Sequence, residues 1–417
     1  MDTLFPKVAG LDVHLKTVQC AVRCQQASGK LLKEVRCFGT MTRDLRALAD
    51  YLTALGVTHV ALEATGVLWK PVWNLLEGRF TLLLINPRHL KKVPGRKTDV
   101  SDAEWIAQLL QHGLLRGSFV PPRAVRNLRD LTRHRAQLAA EHTRVANRIH
   151  KLLEDANVKL GSVASDVLGK SGRAMLREML KGEQDTEKLA NLACGVLRKK
   201  IPQLKLALEG HCTEHHRYLL GRLLSHVSYL ESQIEDLSEH IVARLNELLP
   251  AADQQRLDHI PGVNRRTIEN VLAEIGVDMG VFPDEHHLAS WSGICPGNEE
   301  SAGHRLRSRI RKGNCWLRRA LAEAAWAASH AKDSYFSAQY RRLAPRRGKK
   351  RALVALGHSL LVIIYHVLKN QVEYVDLGPD YFDRLEPQRL RRYLVRRLQR
   401  LGYNVVLSPA KPDNRAA

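Results

Sequence analysis

The chain has 417 residues, and its 65 lysines and arginines outnumber its 43 aspartates and glutamates, which gives a formal net charge of +22 at pH 7. A chain of this length can bury more than one hydrophobic core, and so large a positive charge favours a polyanionic partner such as DNA or RNA. The longest apolar run, residues 360–367, is too short to cross a bilayer, the first residues do not resemble a signal peptide, and the seven scattered cysteines include no Cys-x-x-Cys pair, so the sequence argues against membrane, secreted and structural zinc proteins.

The first 118 residues carry alternating strand and helix patterns. The predicted strands cover residues 8–14, 17–24, 31–38, 57–62 and 80–85, and the predicted helices cover residues 42–55 and 69–76, before a third helix that begins near residue 99. Thr42 is predicted to cap the first helix, and Leu45, Leu48, Ala49 and Leu52 form its inner face. The first three strands form an antiparallel meander. The order β-β-β-α-β-α-β-α is that of the ribonuclease H-like fold, so we predict an α/β domain over residues 1–118.

Four carboxylates fall at strand ends or at a helix start in this pattern. Asp12 interrupts an apolar strand, where a charge is costly unless it is paired or bound to a metal ion. Glu63 ends the fourth strand, and Asp99 and Asp102 share a face of the third helix, which Thr98 or Asp99 caps. Sites in open α/β sheets gather at strand ends, and Mg²⁺ prefers carboxylate oxygens, so we predict a shared metal site. The alternatives are a plain strand-end turn at Glu63 and a pair of acids that favours the helix N-terminus.

Residues 119–252 have the pattern of long helices. Apolar residues recur with seven-residue spacing in one run (Leu131, Leu138, Val145, Leu152) and with alternating spacings of four and three in another (Leu223, Val227, Leu230, Ile234, Leu237, Ile241). This pattern predicts a helical coiled-coil linker. Two arrangements fit it equally: a helical hairpin within one chain, or an interface between chains. The basic residues of the first run, among them Arg133 and Arg135, either contact nucleic acid or form a solvated face.

Residues 253–335 combine a possible phosphate-binding turn with a basic segment. Helix, Ile260-Pro261-Gly262-Val263 and a helix over residues 265–275 have the order of a helix-hairpin-helix, although Pro-Gly also serves ordinary turns. A polar loop of small residues over 295–304 contains Ser301, and a helix to His330 follows the basic segment. The basic residues that we predict to bind a phosphate backbone are Arg305, Arg307, Arg309, Arg311, Lys312 and Arg318. A solvated basic loop is the alternative. We predict a mainly helical domain here and a basic helical tail over residues 336–417.

These motifs resemble the DEDD transposases of the insertion-sequence-110 family and its 1111 subgroup, bridge-RNA-guided recombinases of bacterial insertion sequences. Residues 10–14 (Gly-Leu-Asp-Val-His), 62–66 (Leu-Glu-Ala-Thr-Gly) and 97–103 (Lys-Thr-Asp-x-x-Asp-Ala) carry the resemblance in the first domain. Residues 260–263, 288–296, 301–303 and 311–319 carry the resemblance to the C-terminal transposase domain of that family. The resemblance covers about residues 8–330 in the correct order.

The resemblance implies a RuvC-like domain, a coiled-coil linker and a C-terminal domain with a nucleophilic serine, whose place Ser301 holds. Ser292 and Ser308 are the alternative serines. It implies that two Mg²⁺ ions, which Mn²⁺ is able to replace, assist a recombination reaction that passes through a covalent phosphoserine. The implied partners are donor and target double-stranded DNA, a structured noncoding guide RNA and further copies of the chain in dimers or tetramers. We therefore expect a cytoplasmic, nucleoid-associated transposase that needs no membrane.

Two other functions fit parts of the pattern. In a Mg²⁺-dependent RuvC-like nuclease or Holliday-junction resolvase, water would be the nucleophile and the serine would be incidental. A non-catalytic DNA- or RNA-binding protein with a decayed ribonuclease H-like fold would need no acids, and the presence of all four argues against it.

Overall fold

The computed structural model describes residues 3–26, 30–90, 101–296, 299–301, 303–307, 310 and 313–408. The chain divides into two compact units, Met1–Val120 and Pro121–Ala417. The further division at residues 252/253 and 335/336 stays a prediction.

The first unit is a six-stranded sheet with helices on both faces. Its elements are β1 (Lys7–Val13), β2 (Thr17–Gln25), β3 (Leu31–Gly39), α1 (Thr42–Ala54), β4 (His59–Glu63), α2 (Trp69–Leu76), β5 (Thr81–Ile85), α3 (Pro87–Leu90), α4 (Asp102–Gln111) and β6 (Gly117–Ser118). The strand order is β3-β2-β1-β4-β5-β6. β1, β4 and β5 are parallel, whereas β2, β3 and β6 run antiparallel to their neighbours. This is the ribonuclease H-like order, which confirms the predicted fold class.

The alternation of side chains along β1 creates two separate cores. Ala9, Leu11 and Val13 point to the face that α1 and α2 cover, while Val8 points to the face that α4 covers. This follows from the two-residue period of a strand. The four predicted inner residues of α1 are all buried, but Met41 rather than Thr42 is the N-cap, and no side chain caps the helix. Thr42 is instead the first helical residue.

The second unit is mainly helical. Its elements are α5 (Arg123–Asp155), α6 (Leu160–Val163), α7 (Lys170–Leu180), α8 (Thr186–Asn191), a 3₁₀ turn (Gly195–Lys200), α9 (Ile201–Ala207), α10 (Glu214–Leu248), α11 (Ala251–Asp258), α12 (Arg265–Ile275), a second 3₁₀ turn (Met279–Val281), α13 (Glu285–Ser292), β7 (Glu299–Ser301), β8 (His304–Arg307), α14 (Cys315–Ser329), α15 (Tyr335–Arg347), α16 (Lys349–Asn370), α17 (Tyr381–Leu385) and α18 (Pro387–Arg400). The α12 boundaries agree with the predicted helix over residues 265–275.

The two long helices α5 and α10 pack against each other within one chain. Their contact forms part of a core that includes Val145 and Ile149 from α5 and Val227 and Leu230 from α10, with α6 to α9 packed on it. The chain thus has the intramolecular hairpin that the seven-residue pattern allowed. An interface between chains stays a prediction.

Within the described part of the chain, α16 is the helix that is long and apolar enough, by length and composition, to cross a membrane. Core helices of soluble proteins pass the same test, and 44% of the most apolar stretch of α16 is buried in the fold. Leu356, Leu360, Leu361 and Ile364 are each at most 1% exposed. These side chains make α16 a packed helix of the second unit.

Candidate functional site

The carboxyl ends of β1 and β4 bring Asp12 and Glu63 to one edge of the sheet. Gly10 pairs with Ala61 and Leu11 pairs with Leu62 in the parallel register, so Asp12 and Glu63 come next on the two strands. Ala61 belongs to the core under α4. Because side chains alternate along a strand, Asp12 and Glu63, each two residues further on, project from that same face.

Helix α4 brings Asp102 to the same edge and face. It lies so close to β1 that a Cβ on Gly10 would be 2.3 Å from the carbonyl oxygen of Ala103. The amide of Leu4, just before β1, donates to the carbonyl of Gln111 at 2.9 Å. The C-terminal end of α4 therefore lies at the start of β1, and its first residue, Asp102, lies toward the end of β1 where Asp12 is found.

A capping box determines where α4 begins. The Ser101 hydroxyl accepts a hydrogen bond from the Glu104 amide at 3.3 Å, and the Glu104 carboxylate accepts one from the Ser101 amide at 3.2 Å. The predicted caps, Thr98 and Asp99, were wrong, because Ser101 is the N-cap and the Ser-x-x-Glu pair begins the helix at Asp102. Asp99 lies outside the described residues. Asp102 occupies the first turn, where the helix dipole favours a negative charge.

Polar side chains contact two of these acids. Nε2 of His14 lies 3.0 Å from Oδ2 of Asp12, whose side chain is 18% exposed. The Thr65 hydroxyl donates to Glu63 at 3.5 Å. Across the residues that the structure describes, no three His, Cys, Asp or Glu side chains are arranged to hold a metal ion. The carboxylate oxygens suit a hard divalent cation. The described part of the fold thus aligns the acids at one edge without closing a cage around an ion.

In the second unit, Ser301 ends the first strand of a short hairpin. β7 and β8 pair antiparallel, with Ser301 opposite His304 and Glu300 opposite Arg305. Gly303, in the turn between them, has a φ of +76°, a backbone conformation that favours glycine. Ser301 therefore stands at the tip of the hairpin. The predicted extended basic segment is confirmed for the backbone of β8.

Several predicted site atoms lie outside what the structure describes. These are Arg309, Arg311, Lys312, the alternative serine Ser308, and the side chains of Ser301, Arg305 and Arg307. Arg318 is described and is half-buried in α14.

The burial of Ser292 argues against this residue as the nucleophile. Its side chain is 0% exposed. Its hydroxyl donates to the Ala289 carbonyl at 2.8 Å and accepts a hydrogen bond from the Ile294 amide at 3.4 Å. Both hydrogen bonds of the hydroxyl are therefore made to backbone groups at the C-terminal end of α13. Gly313 packs against the Ser292 backbone, since a Cβ on Gly313 would lie 2.2 Å from the Ser292 carbonyl oxygen.

A buried ion-pair network holds the segment that follows the hairpin. The Glu274 side chain is 1% exposed and accepts hydrogen bonds from Arg133 at 2.7 and 2.8 Å. Nδ2 of Asn314 also donates to Glu274, at 2.6 Å, while its Oδ1 caps α14 by accepting from the Trp316 and Leu317 amides. The network therefore joins α5, α12 and the first turn of α14.

A second buried pair lies beside this network. Arg135, whose side chain is 2% exposed, donates to Glu269 at 2.6 Å. Burial lowers the pKa of Arg135, and the adjacent Glu269 carboxylate opposes that shift. The prediction of nucleic-acid contact or solvent exposure was therefore wrong for Arg135, whose guanidinium group is buried against Glu269. Arg133 pairs with Glu274, but its side chain is 32% exposed, so for Arg133 both alternatives stay predictions.

Comparison with known proteins identifies the family of the chain. A model of DEDD transposases of IS110 elements, described as "Transposase", matches residues 9–158, and a model described as "Transposase IS116/IS110/IS902 family" matches residues 254–341. The transposase for insertion sequence element IS1111A of Coxiella burnetii (strain RSA 493 / Nine Mile phase I) is 29% identical over 300 residues, 70% of this chain and 72% of that protein.

Among solved structures, T. thermophilus RuvC in complex with Holliday junction substrate is similar to this chain, with 14% sequence identity and a TM-score of 0.20. The match covers 27% of this chain and 99% of the RuvC chain. The first family model covers most of the first unit and the start of the second, the other model lies within the second unit, and together they span more than half of the sequence. The chain belongs to the IS110 family of DEDD transposases.

Proposed function

We propose that this chain is a DNA recombinase that cuts and rejoins DNA through a covalent phosphoserine at Ser301. The observation that carries the proposal is the alignment of three acids at one edge and face of a ribonuclease H-like sheet, in a transposase whose second unit presents a serine at a hairpin tip. Asp99 is the fourth proposed acid. The basic residues of the hairpin and of the segment after it, from Arg305 to Lys312, together with Arg318, would bind the DNA backbone.

The proposed metal ligands are Asp12, Glu63, Asp99 and Asp102. Bound Mg²⁺, or Mn²⁺ in its place, would neutralise charge on the scissile phosphate, and two ions fit this number of carboxylates. In the proposed step, Oγ of Ser301 bonds to the phosphorus and loses its proton, while the bond from phosphorus to the departing sugar oxygen breaks and that oxygen takes up a proton. Because one phosphoester replaces another, rejoining needs no external energy source.

Trapping the protein–DNA adduct tests the role of Ser301. Purified protein is incubated with Mg²⁺, RNA and DNA that carries the element ends, then denatured, and covalent complexes are counted. The wild-type protein should form an adduct, and Ser301→Ala should form none. Ser290→Ala is the matched control, because Ser290 is an exposed serine of α13, and it should behave like the wild-type protein. An adduct in Ser301→Ala would refute the proposed nucleophile.

The same assay separates the two alternative functions. A nuclease that uses water would keep full cleavage in Ser301→Ala and lose it in Asp12→Asn. A non-catalytic binding protein would retain DNA in both variants and show no Mg²⁺-dependent cleavage in the wild type.

We further propose that a structured noncoding RNA selects the DNA and that the chain works as a dimer or tetramer. Support comes from the family resemblance and from the net charge of +22, which exceeds what DNA contact at one hairpin would need. If base pairing with RNA reads the target, a changed RNA sequence should redirect cleavage with an unchanged protein. Sequence-specific cleavage that survives complete RNA removal would contradict the guide.

A further inference from the structure

A cavity of about 750 Å³ adjoins the base of the Ser301 hairpin within the second unit. Pro296 and Ile310, which pair with each other as an extension of the hairpin, line one side of it. Helices α15 and α16 line the other, with Val354 and Ala355 contributing apolar surface. The volume lies within the range of about 300–1,000 Å³ that is usual for small-ligand pockets.

Positively charged side chains at the opening of this cavity favour a bound anion. Arg347, Lys350 and Arg351 line it. No described carboxylate forms an ion pair with any of the three. Lys350 and Arg351 lie in the first turn of α16, a position where the helix dipole disfavours positive charge. This helix end has Gly348 as its N-cap and no side-chain cap. A phosphate placed here would accept from the exposed helix amides and neutralise the cations.

Polar groups that line the cavity suit the edge of a nucleobase. The side-chain amide of Gln339 donates to the Ser359 hydroxyl at 2.9 Å. Oε1 of Gln339 is buried without a hydrogen-bond partner among the described residues, although such an acceptor normally has one. Burial lowers the pKa of His358, and His286 adds to the shift, so its ring is neutral and offers one donor and one acceptor.

We propose that this cavity is a nucleotide pocket, which holds an unpaired nucleotide of the DNA strand that lies along the Ser301 hairpin. The phosphate binds at the start of α16, and the base lies on the apolar surface with its edge toward Gln339 and His358. A paired base would have to leave the stack to enter such a pocket. Neither family model covers this end of α16, because the second one ends at residue 341.

The pocket is close enough to the hairpin tip to act on the same strand. Ser301 lies five positions after Pro296 in the chain, so their Cα atoms are at most about 18 Å apart. At a rise of about 3.4 Å per nucleotide in a stacked strand, this corresponds to roughly five nucleotides. The inference rests on the proposed function where it places DNA at the hairpin, but its test measures binding and needs no chemistry.

The first experiment uses full-length Ser301→Ala protein, which prevents covalent capture, and fluorescent DNA that is either fully paired or carries one unpaired nucleotide. Combined replacement of Arg347, Lys350 and Arg351 by alanine should weaken binding of the unpaired substrate about tenfold. Loss of this phosphate contact to a single strand should also reduce the slope of log K against log salt by about 0.7. The matched control replaces Arg392, Arg396 and Arg400 of α18, which removes the same charge from a helix without buried residues.

The second experiment blocks the cavity without changing charge. Ala355→Phe fills the apolar part and should abolish the preference for the unpaired substrate while leaving the salt slope unchanged. The pocket is refuted if both pocket variants bind as the parent does, or if the α18 control loses as much affinity as the triple pocket variant. If the pocket variants lose affinity only for an RNA strand of the same sequence, the assignment of the pocket to DNA is refuted. Covalent adduct formation by Ser301 is scored separately, so failure of the nucleophile does not decide this result.

Discussion

At the scale of single residues, Gly10 shows how one missing side chain positions a site. Any larger residue would place its Cβ 2.3 Å from the Ala103 carbonyl oxygen and 2.5 Å from the Ala107 amide nitrogen. Both are helix backbone atoms, which cannot rotate away as the end of a side chain can. The close approach of α4 to β1 therefore depends on glycine, and it is this approach that brings Asp102 toward Asp12.

We expect Gly10→Ala to push α4 away from the sheet, to destabilise the first unit by about 1–3 kcal/mol and to reduce Mg²⁺-dependent cleavage. Thermal unfolding and the cleavage assay measure the two effects. Gly117→Ala is the matched control, since its added Cβ would lie 3.6 Å from the nearest atom, an ordinary contact. If Gly10→Ala has the same unfolding temperature and the same cleavage activity as the wild type, α4 does not pack against β1 as closely as described.

At the scale of secondary-structure elements, the buried glutamates of α12 connect three helices. Glu274 accepts from Arg133 of α5 and from Asn314, which caps α14. Burying charges is costly, and removing one partner leaves the others unpaired in the interior. The network thus links the start of α14, just after the Ser301 hairpin, to the long helix α5.

Glu274→Ala should destabilise the second unit by about 3–5 kcal/mol, because it removes the buried carboxylate that pairs with Arg129 and Arg133, whose side chains are 16% and 32% exposed. Glu231 provides the comparison. It pairs with Arg173 and His142 but is 42% exposed, so Glu231→Ala should cost less than about 1 kcal/mol. Urea unfolding followed by circular dichroism measures both. If both variants lose the same free energy of unfolding, burial does not determine how much these ion pairs stabilise the fold.

At the scale of the whole molecule, the positive charge should govern DNA binding, whereas the proposed metal ion should govern DNA cleavage. The net charge of +22 attracts the phosphate backbone whether or not a metal ion is present. The proposed cation acts at four carboxylates, which contribute little to overall attraction. DNA affinity and DNA cleavage are therefore expected to respond differently when divalent metal is removed.

Chelation of divalent ions should abolish cleavage while DNA affinity, measured by fluorescence anisotropy at constant ionic strength, changes less than about threefold. Asp12→Asn should reproduce the loss of cleavage in the presence of Mg²⁺. Re-addition of Mg²⁺ or Mn²⁺ should restore DNA cleavage by the wild-type protein but not by Asp12→Asn. Cleavage that continues in the metal-free protein would contradict the proposed metal site.

Local patterns predicted most of the first unit but misplaced one helix start. Apolar runs, alternating in β2 and continuous in β5, predicted the strands β1 to β5, and the helical pattern predicted the bounds of α2, Trp69–Leu76. The predicted start of α4 near residue 99 was too early, because Ser101 and Glu104 cap each other and the helix begins at Asp102. The burial of Arg135 had no local signal, since its partner Glu269 lies 134 residues away.

The sequence by itself determined the ribonuclease H-like order of elements and the family, and it proposed the acids and the serine, because these depend on residue type and short-range spacing. The tertiary structure alone decided that Asp12, Glu63 and Asp102 share one edge and face, that Ser292 is buried, and that Arg135 is paired inside the fold. Those facts depend on contacts between residues far apart in the chain, and such contacts form only when the elements pack.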